Sequence, residues 1–156
     1  MYGWFKRKAI DPLMDLLKQG LSPGKLAQCV AFGVVIAIFP ALGTTTVIAA
    51  GASVAFRLNM VAIQTVNYLA YPLQFALLLP FFRAGEWLFS AEPLSLGVTE
   101  IATLVTEHPL DAISQLWTVT WHAAIVWAIL SLVAVPAITF VLTPIFKKAA
   151  EKAGFA

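Results

Sequence analysis

Charge is scarce in this chain. Of 156 residues, ten are Lys or Arg and eight are Asp or Glu. From Ala84 to Phe146 there is no Lys or Arg at all. Cysteine is nearly absent too, because the single Cys29 can form no internal disulfide and reads as a small apolar filler. The chain shows no metal-ligand cluster, no nucleophile constellation and no phosphate-loop motif. Within the last apolar run His122 is the one ionisable side chain. Chemistry at depth in a membrane requires ionisable groups there, so the expectation is a protein that is not an enzyme and uses no cofactor or metal. Nor is a nucleic-acid binder expected, since no basic stripe is present. A cleavable signal peptide is also not evident, as the first 20 residues lack an apolar core followed by small residues.

What the chain has instead is hydrophobicity. Its residues are 60% apolar and the mean hydropathy is +0.86, which places it among integral membrane proteins. Three uncharged stretches stand out: Leu26–Phe56 (31 residues), Leu58–Phe82 (25) and Ala112–Phe146 (35). The first breaks at Phe39-Pro40-Ala41-Leu42-Gly43 into arms of roughly 14 and 13 residues, each about 20 Å long. Such arms are too short for ~30 Å of hydrocarbon, and the economical reading is a hairpin that re-enters the side it left. Two full spans remain the alternative.

The cations are clustered. Lys6, Arg7, Lys8, Lys18 and Lys25 precede the first stretch, and Lys147, Lys148 and Lys152 follow the last. The acidic Glu86, Glu92, Glu100, Glu107 and Asp111 lie between. The positive-inside rule then puts both termini in the cytoplasm, in a bacterial inner-membrane, multi-pass arrangement, with Arg57 on the cytoplasmic side and Arg83 as the outer exception.

The expected fold is all-α and integral to the membrane, with a re-entrant hairpin, two transmembrane helices and amphipathic interfacial helices in one domain. Residues 1–19 read as an interfacial helix, or as a plain surface helix docked on the membrane domain, stopped by Gly20. The hairpin spans 22–56, with Ser22 as N-cap and Pro23 at the first helical position. The first span covers 60–82. Residues 93–108 form an outer amphipathic segment, 115–146 a second span belted by Trp117, Trp121 and Trp127, and 147–156 a cytoplasmic tail. Pro136 and Pro144 are expected to kink or end that second span.

Two features point to a site. The second arm starts just after Gly43, so the free N–H groups around Thr44 and Thr45 form the positive end of a half-helix inside the bilayer, suited to an anionic group. A plain capped break is the structural alternative. On the following span Gln64, Asn67, Tyr68, Tyr71 and Gln74 fall within an arc of about 120°. Amides in lipid are costly, so this stripe must face the hairpin or a wet cavity, as interhelical glue, as substrate contacts, or as both. The candidate substrate-binding set is Pro40, Gly43, Thr44, Thr45, Asn67, Tyr71 and Gln74, with Arg57 and Arg83 as counter-charges at the edges. Small residues at Ala27, Ala31, Gly33, Ala37, Gly43, Gly51, Ala52 and Ala55 allow close backbone approach.

Gly20-Leu21-Ser22-Pro23-Gly24-Lys25-Leu26-Ala27, Ala31-Phe32-Gly33, Phe39-Pro40-Ala41-Leu42-Gly43-Thr44-Thr45 and Arg57-Leu58-Asn59 together resemble the bacterial membrane family called domain of unknown function 2062. The order and spacing match over about residues 20–86. One element departs: where that family commonly has Asn-Pro-Leu-Thr, this chain has Tyr71-Pro72-Leu73-Gln74, with Asn67 one turn earlier. The resemblance brings no established activity. The Pro-x-x-Gly hairpin also looks like the re-entrant elements of DedA-type lipid transporters, as an architectural analogy. The function expected is a small transporter or flippase-like protein for a lipid-linked or amphipathic anionic substrate, acting as a homo-oligomer among membrane lipids. The competing expectation is a non-transporting module that anchors a protein partner the sequence does not name.

Overall fold

Ser22 and Pro23 start the first long helix as the sequence predicts: the Ser22 hydroxyl accepts from the Lys25 amide at 3.3 Å, and Pro23 occupies the first helical turn. The structure, a computed structural model, describes residues 11–92, 107 and 109–154. Its elements are α1 (Asp11–Lys18), α2 (Pro23–Ala37), α3 (Thr45–Ala55), α4 (Met60–Leu88) and α5 (Pro109–Lys152). No strand occurs among the described residues. The expected segment 93–108 lies outside them apart from Glu107, as do residues 1–10 of the expected first helix.

Helices α2 and α3 form an antiparallel pair joined by the break at 38–44. Their far ends meet, because Lys25 Nζ at the start of α2 donates to the Phe56 carbonyl at the end of α3 (3.4 Å), and the Phe32 and Phe56 rings lie 4.7 Å apart. A hairpin is therefore what the chain builds. Helix α2 is its inner arm and packs on both α4 and α5; α3 lies against α4 and α2 and hardly meets α5. Leu16 and Leu17 of α1 bury against Leu26, Cys29, Leu58 and Ala150, closing the base of the hairpin.

Two glycines bring helices together. A Cβ on Gly33 would stand 2.6 Å from Val66 Cβ and 2.9 Å from the Ile63 carbonyl, and one on Gly85 would stand 2.9 Å from the Ala123 nitrogen. Gly33 so allows α2 onto α4, and Gly85 allows α4 onto α5. Gly43 and Gly51, expected to serve the same end, have open space where a Cβ would go. Gly43 is used for its backbone instead: its φ of +81° turns the chain into α3.

Helices α4 and α5 are longer than their apolar runs. Helix α4 has 29 residues and passes unbroken through Pro72 and Pro80. Helix α5 has 44 and passes through Pro136 and Pro144, so neither proline ends it. Both are long and apolar enough to cross a membrane. In the most apolar window of α5 no residue is buried, and in that of α4 only 28% are. The core helix of a water-soluble fold has its apolar face covered, and in these windows most of the apolar surface is open.

Candidate functional site

A broken helix leaves carbonyls and amides without their regular partners, and each must find another. At the hairpin tip the carbonyls of Val35, Ile36, Phe39 and Ala41 all find donors. The Phe39 amide turns back to the Ile36 carbonyl at 3.0 Å, leaving the Val35 carbonyl free. Trp127 Nε1 of α5 donates to it at 2.7 Å, and the Trp127 ring meets Phe39 edge-on at 4.8 Å. Gln74 Nε2 of α4 donates to the Phe39 carbonyl at 2.6 Å and to the Ala41 carbonyl at 3.3 Å. Thr44 Oγ1 also donates to the Ala41 carbonyl, at 2.9 Å. Pro40, which has no N–H to lose, is fully buried between them.

Lower down, Asn67 Nδ2 reaches Thr45 Oγ1 at 3.4 Å and Gln64 Oε1 at 3.1 Å. Asn67 and Gln74 are both fully buried, and Thr45 nearly so. The expected pairing of the amide stripe with the hairpin thus holds for Asn67 and Gln74, while Gln64 accepts from Asn67 on its own helix. Two atoms of this cluster, Asn67 Oδ1 and Gln74 Oε1, are buried with no hydrogen-bond partner among the described residues. They are acceptors, and each such group costs about 1–3 kcal/mol unless something donates to it.

The rest of the candidate set does not converge. Tyr71 meets Phe75 of its own helix edge-on, at 5.7 Å. Arg57 sits exposed at the base of the hairpin, and Arg83 lies nine residues beyond Gln74, about 13 Å along α4, paired with Glu86 at 2.9 Å. Thr44 is the N-cap of α3 but makes no side-chain cap; its hydroxyl is spent on Ala41. Thr46 and Gly43 are exposed at the start of α3. Trp127 escaped the sequence reading, which placed it in an aromatic belt with Trp117 and Trp121. Those two do stack on each other, exposed, at 6.5 Å, whereas Trp127 is a partner of the hairpin. His122 stacks flat on Phe89 at 4.2 Å, beside Gly85.

The profile of a family described as an uncharacterized protein conserved in bacteria (DUF2062) matches residues 6–153. The chain belongs to DUF2062. The match extends well past the motifs of residues 20–86 and takes in the whole of α4 and α5. No curated protein and no solved structure matches this DUF2062 chain, so the likeness to DedA-type transporters has no support from them.

Proposed function

We propose that this DUF2062 protein is a bacterial inner-membrane protein whose hairpin enters the bilayer from the cytoplasmic face and returns to it. In this reading the tip and the amides of α4 form the mid-depth site of a small transporter or flippase-like protein for anionic amphipathic molecules. One observation carries it. Gln74, which holds the tip, lies 14 residues from Met60 and 14 from Leu88, at the centre of α4. If α4 crosses the bilayer symmetrically, the tip sits near the midplane and the base of the hairpin sits at the surface. The arm lengths agree, at about 22 Å for α2 and 16 Å for α3 against ~30 Å of hydrocarbon. Lys25 and Arg57 at the hairpin base and Lys147 at the corresponding end of α5 supply the cytoplasmic charge. The unmatched oxygens of Asn67 and Gln74 favour a wet or ligand-binding site over simple glue, which would leave no acceptor idle.

Purified protein in phosphatidylcholine vesicles containing a headgroup-labelled fluorescent phosphatidylglycerol should speed the loss of dithionite protection well above protein-free vesicles. Thr46→Val, which alters only an exposed tip hydroxyl, should slow that exchange severalfold. Exchange no faster than in protein-free vesicles would move the lead to the partner-anchoring module. That second reading has its own support in the outer face of α3, where Val47, Gly51 and Val54 are exposed and a Cβ on Gly51 would meet nothing.

A further inference from the structure

Because α3 and α5 stand apart on either side of α2, a groove is left between them. It is floored by Phe32, Val35 and Ile36 of α2 and walled by α3 and α5. Two cavities make it up, of about 790 Å³ toward the hairpin base and about 340 Å³ toward the tip, and they share Phe32, Phe56 and Val135. Along α5 the groove runs from Trp127 to Pro144, about 25 Å, enough for the ~15 Å depth of one leaflet's acyl chains. Its surface is almost wholly apolar. Three polar side chains, Gln28, Thr139 and Thr143, lie in the wider half near the base. Thr143 returns its hydroxyl to the Thr139 carbonyl, while Thr139 Oγ1 is buried with no partner among the described residues.

The mouth of the groove is cationic. Lys25 Nζ stands at the Phe56 carbonyl, and Arg57 follows Phe56 directly. On α5 the groove-lining positions 136, 140, 143 and 144 continue at helical spacing to the exposed Lys147. Arg57 also has a φ of +51°, a left-handed conformation that disfavours any residue with a Cβ. It ends α3 where glycine would fit with less strain, and so a cation is kept at this rim at a cost in conformation.

From an apolar channel of leaflet depth, opening beneath three cations, we infer that the groove binds one phospholipid of the membrane's own anionic kind. Its acyl chain lies along Phe32 and Val135 toward Trp127, its phosphate lies among Lys25, Arg57 and Lys147, and Thr139 donates to its ester region. The inference rests on the membrane placement proposed above, and not on transport. Its test reads binding alone.

Trp127 lines the inner end of the groove and reports on it. In a variant retaining it as the sole tryptophan (Trp4, Trp87, Trp117 and Trp121 each changed to Phe), the protein is reconstituted in unlabelled phosphatidylcholine with rising fractions of chain-brominated lipid. Brominated phosphatidylglycerol should quench Trp127 half-maximally at a mole fraction at least fivefold lower than brominated phosphatidylcholine does. Lys25→Gln with Arg57→Gln should remove that preference while leaving quenching at high fractions unchanged. Ala52→Phe, which fills the inner half, should remove the low-fraction quenching by brominated phosphatidylglycerol, and Thr139→Val should weaken it without altering helicity. Identical quenching curves for the two lipids in the parent protein would overturn the inference, leaving only bulk lipid at the groove. So would absence of quenching together with efficient disulfide formation between copies carrying Phe140→Cys, since a second chain would then cover the groove.

Discussion

At the scale of single residues, the hairpin tip depends on two donors reaching in from other helices. Gln74 serves the Phe39 and Ala41 carbonyls with one amide nitrogen, and Trp127 serves Val35. Gln74→Leu keeps approximate volume and removes the only donor to Phe39 seen among the described residues. We expect it to destabilise the protein by on the order of 2 kcal/mol, the cost of an unmet buried carbonyl, with Trp127→Phe costing less because a single bond is lost. Denaturant titration in mixed micelles, followed by helicity, measures both. Equal stability of Gln74→Leu and the parent would mean that water already serves these carbonyls. Asn67 differs from Gln74, because its amide bonds two side chains, Thr45 and Gln64, and no backbone group. Its replacement should perturb the site more than the tip.

At the scale of elements, the interfaces are made by a few positions whose importance composition does not reveal. Gly33→Ala forces a methyl into Val66 and the Ile63 carbonyl at distances below 3.0 Å, and the backbone oxygen cannot rotate away. That substitution should separate α2 from α4 and cost about 1–3 kcal/mol. Gly51→Ala meets open space on a helix interior and should be neutral or stabilising by up to about 1 kcal/mol. Thermal unfolding of the two variants side by side checks the pair, and matching losses in both would point to a copy of the chain packed against α3. The two glycines look alike in sequence, each in an apolar run rich in small residues, and only the partner across the gap distinguishes them. The same limit explains much of what sequence reading gained and missed. Local signals were legible: the Ser22-Pro23 start, the break at Pro40–Gly43, and the direction of Asn67 and Gln74, which burial of an amide requires. Trp127 was not legible, since an indole at a helix position reads equally as belt or as hydrogen-bond donor. Nor was the passage of α5 through Pro136 and Pro144, where Pro was expected to kink or end the helix. Arg57 and Arg83, expected as counter-charges at the edges, do lie apart from the tip, Arg57 at the hairpin base and Arg83 beside Glu86.

At the scale of the whole molecule, the described helices are unevenly distributed along α4. Between Met60 and Gln74 four helices lie side by side, whereas beyond the tip α4 and α5 accompany each other alone. Placed in a bilayer as proposed, the described protein occupies about twice the area in the leaflet that holds the hairpin as in the other. It is a wedge. A wedge relieves packing stress where the broader side has room to spread, so its energy depends on the bend of the sheet around it. Inserted with the hairpin in the outer leaflet, the protein should concentrate in small, highly curved vesicles over large flat ones from the same lipid, and the reverse insertion should show the opposite bias. Protein-to-lipid ratios across size-fractionated vesicles of known orientation would reveal it, and a flat distribution would mean that the two leaflets are filled equally. A hairpin that stops halfway would in that way let a chain this small sense tension in the sheet that holds it.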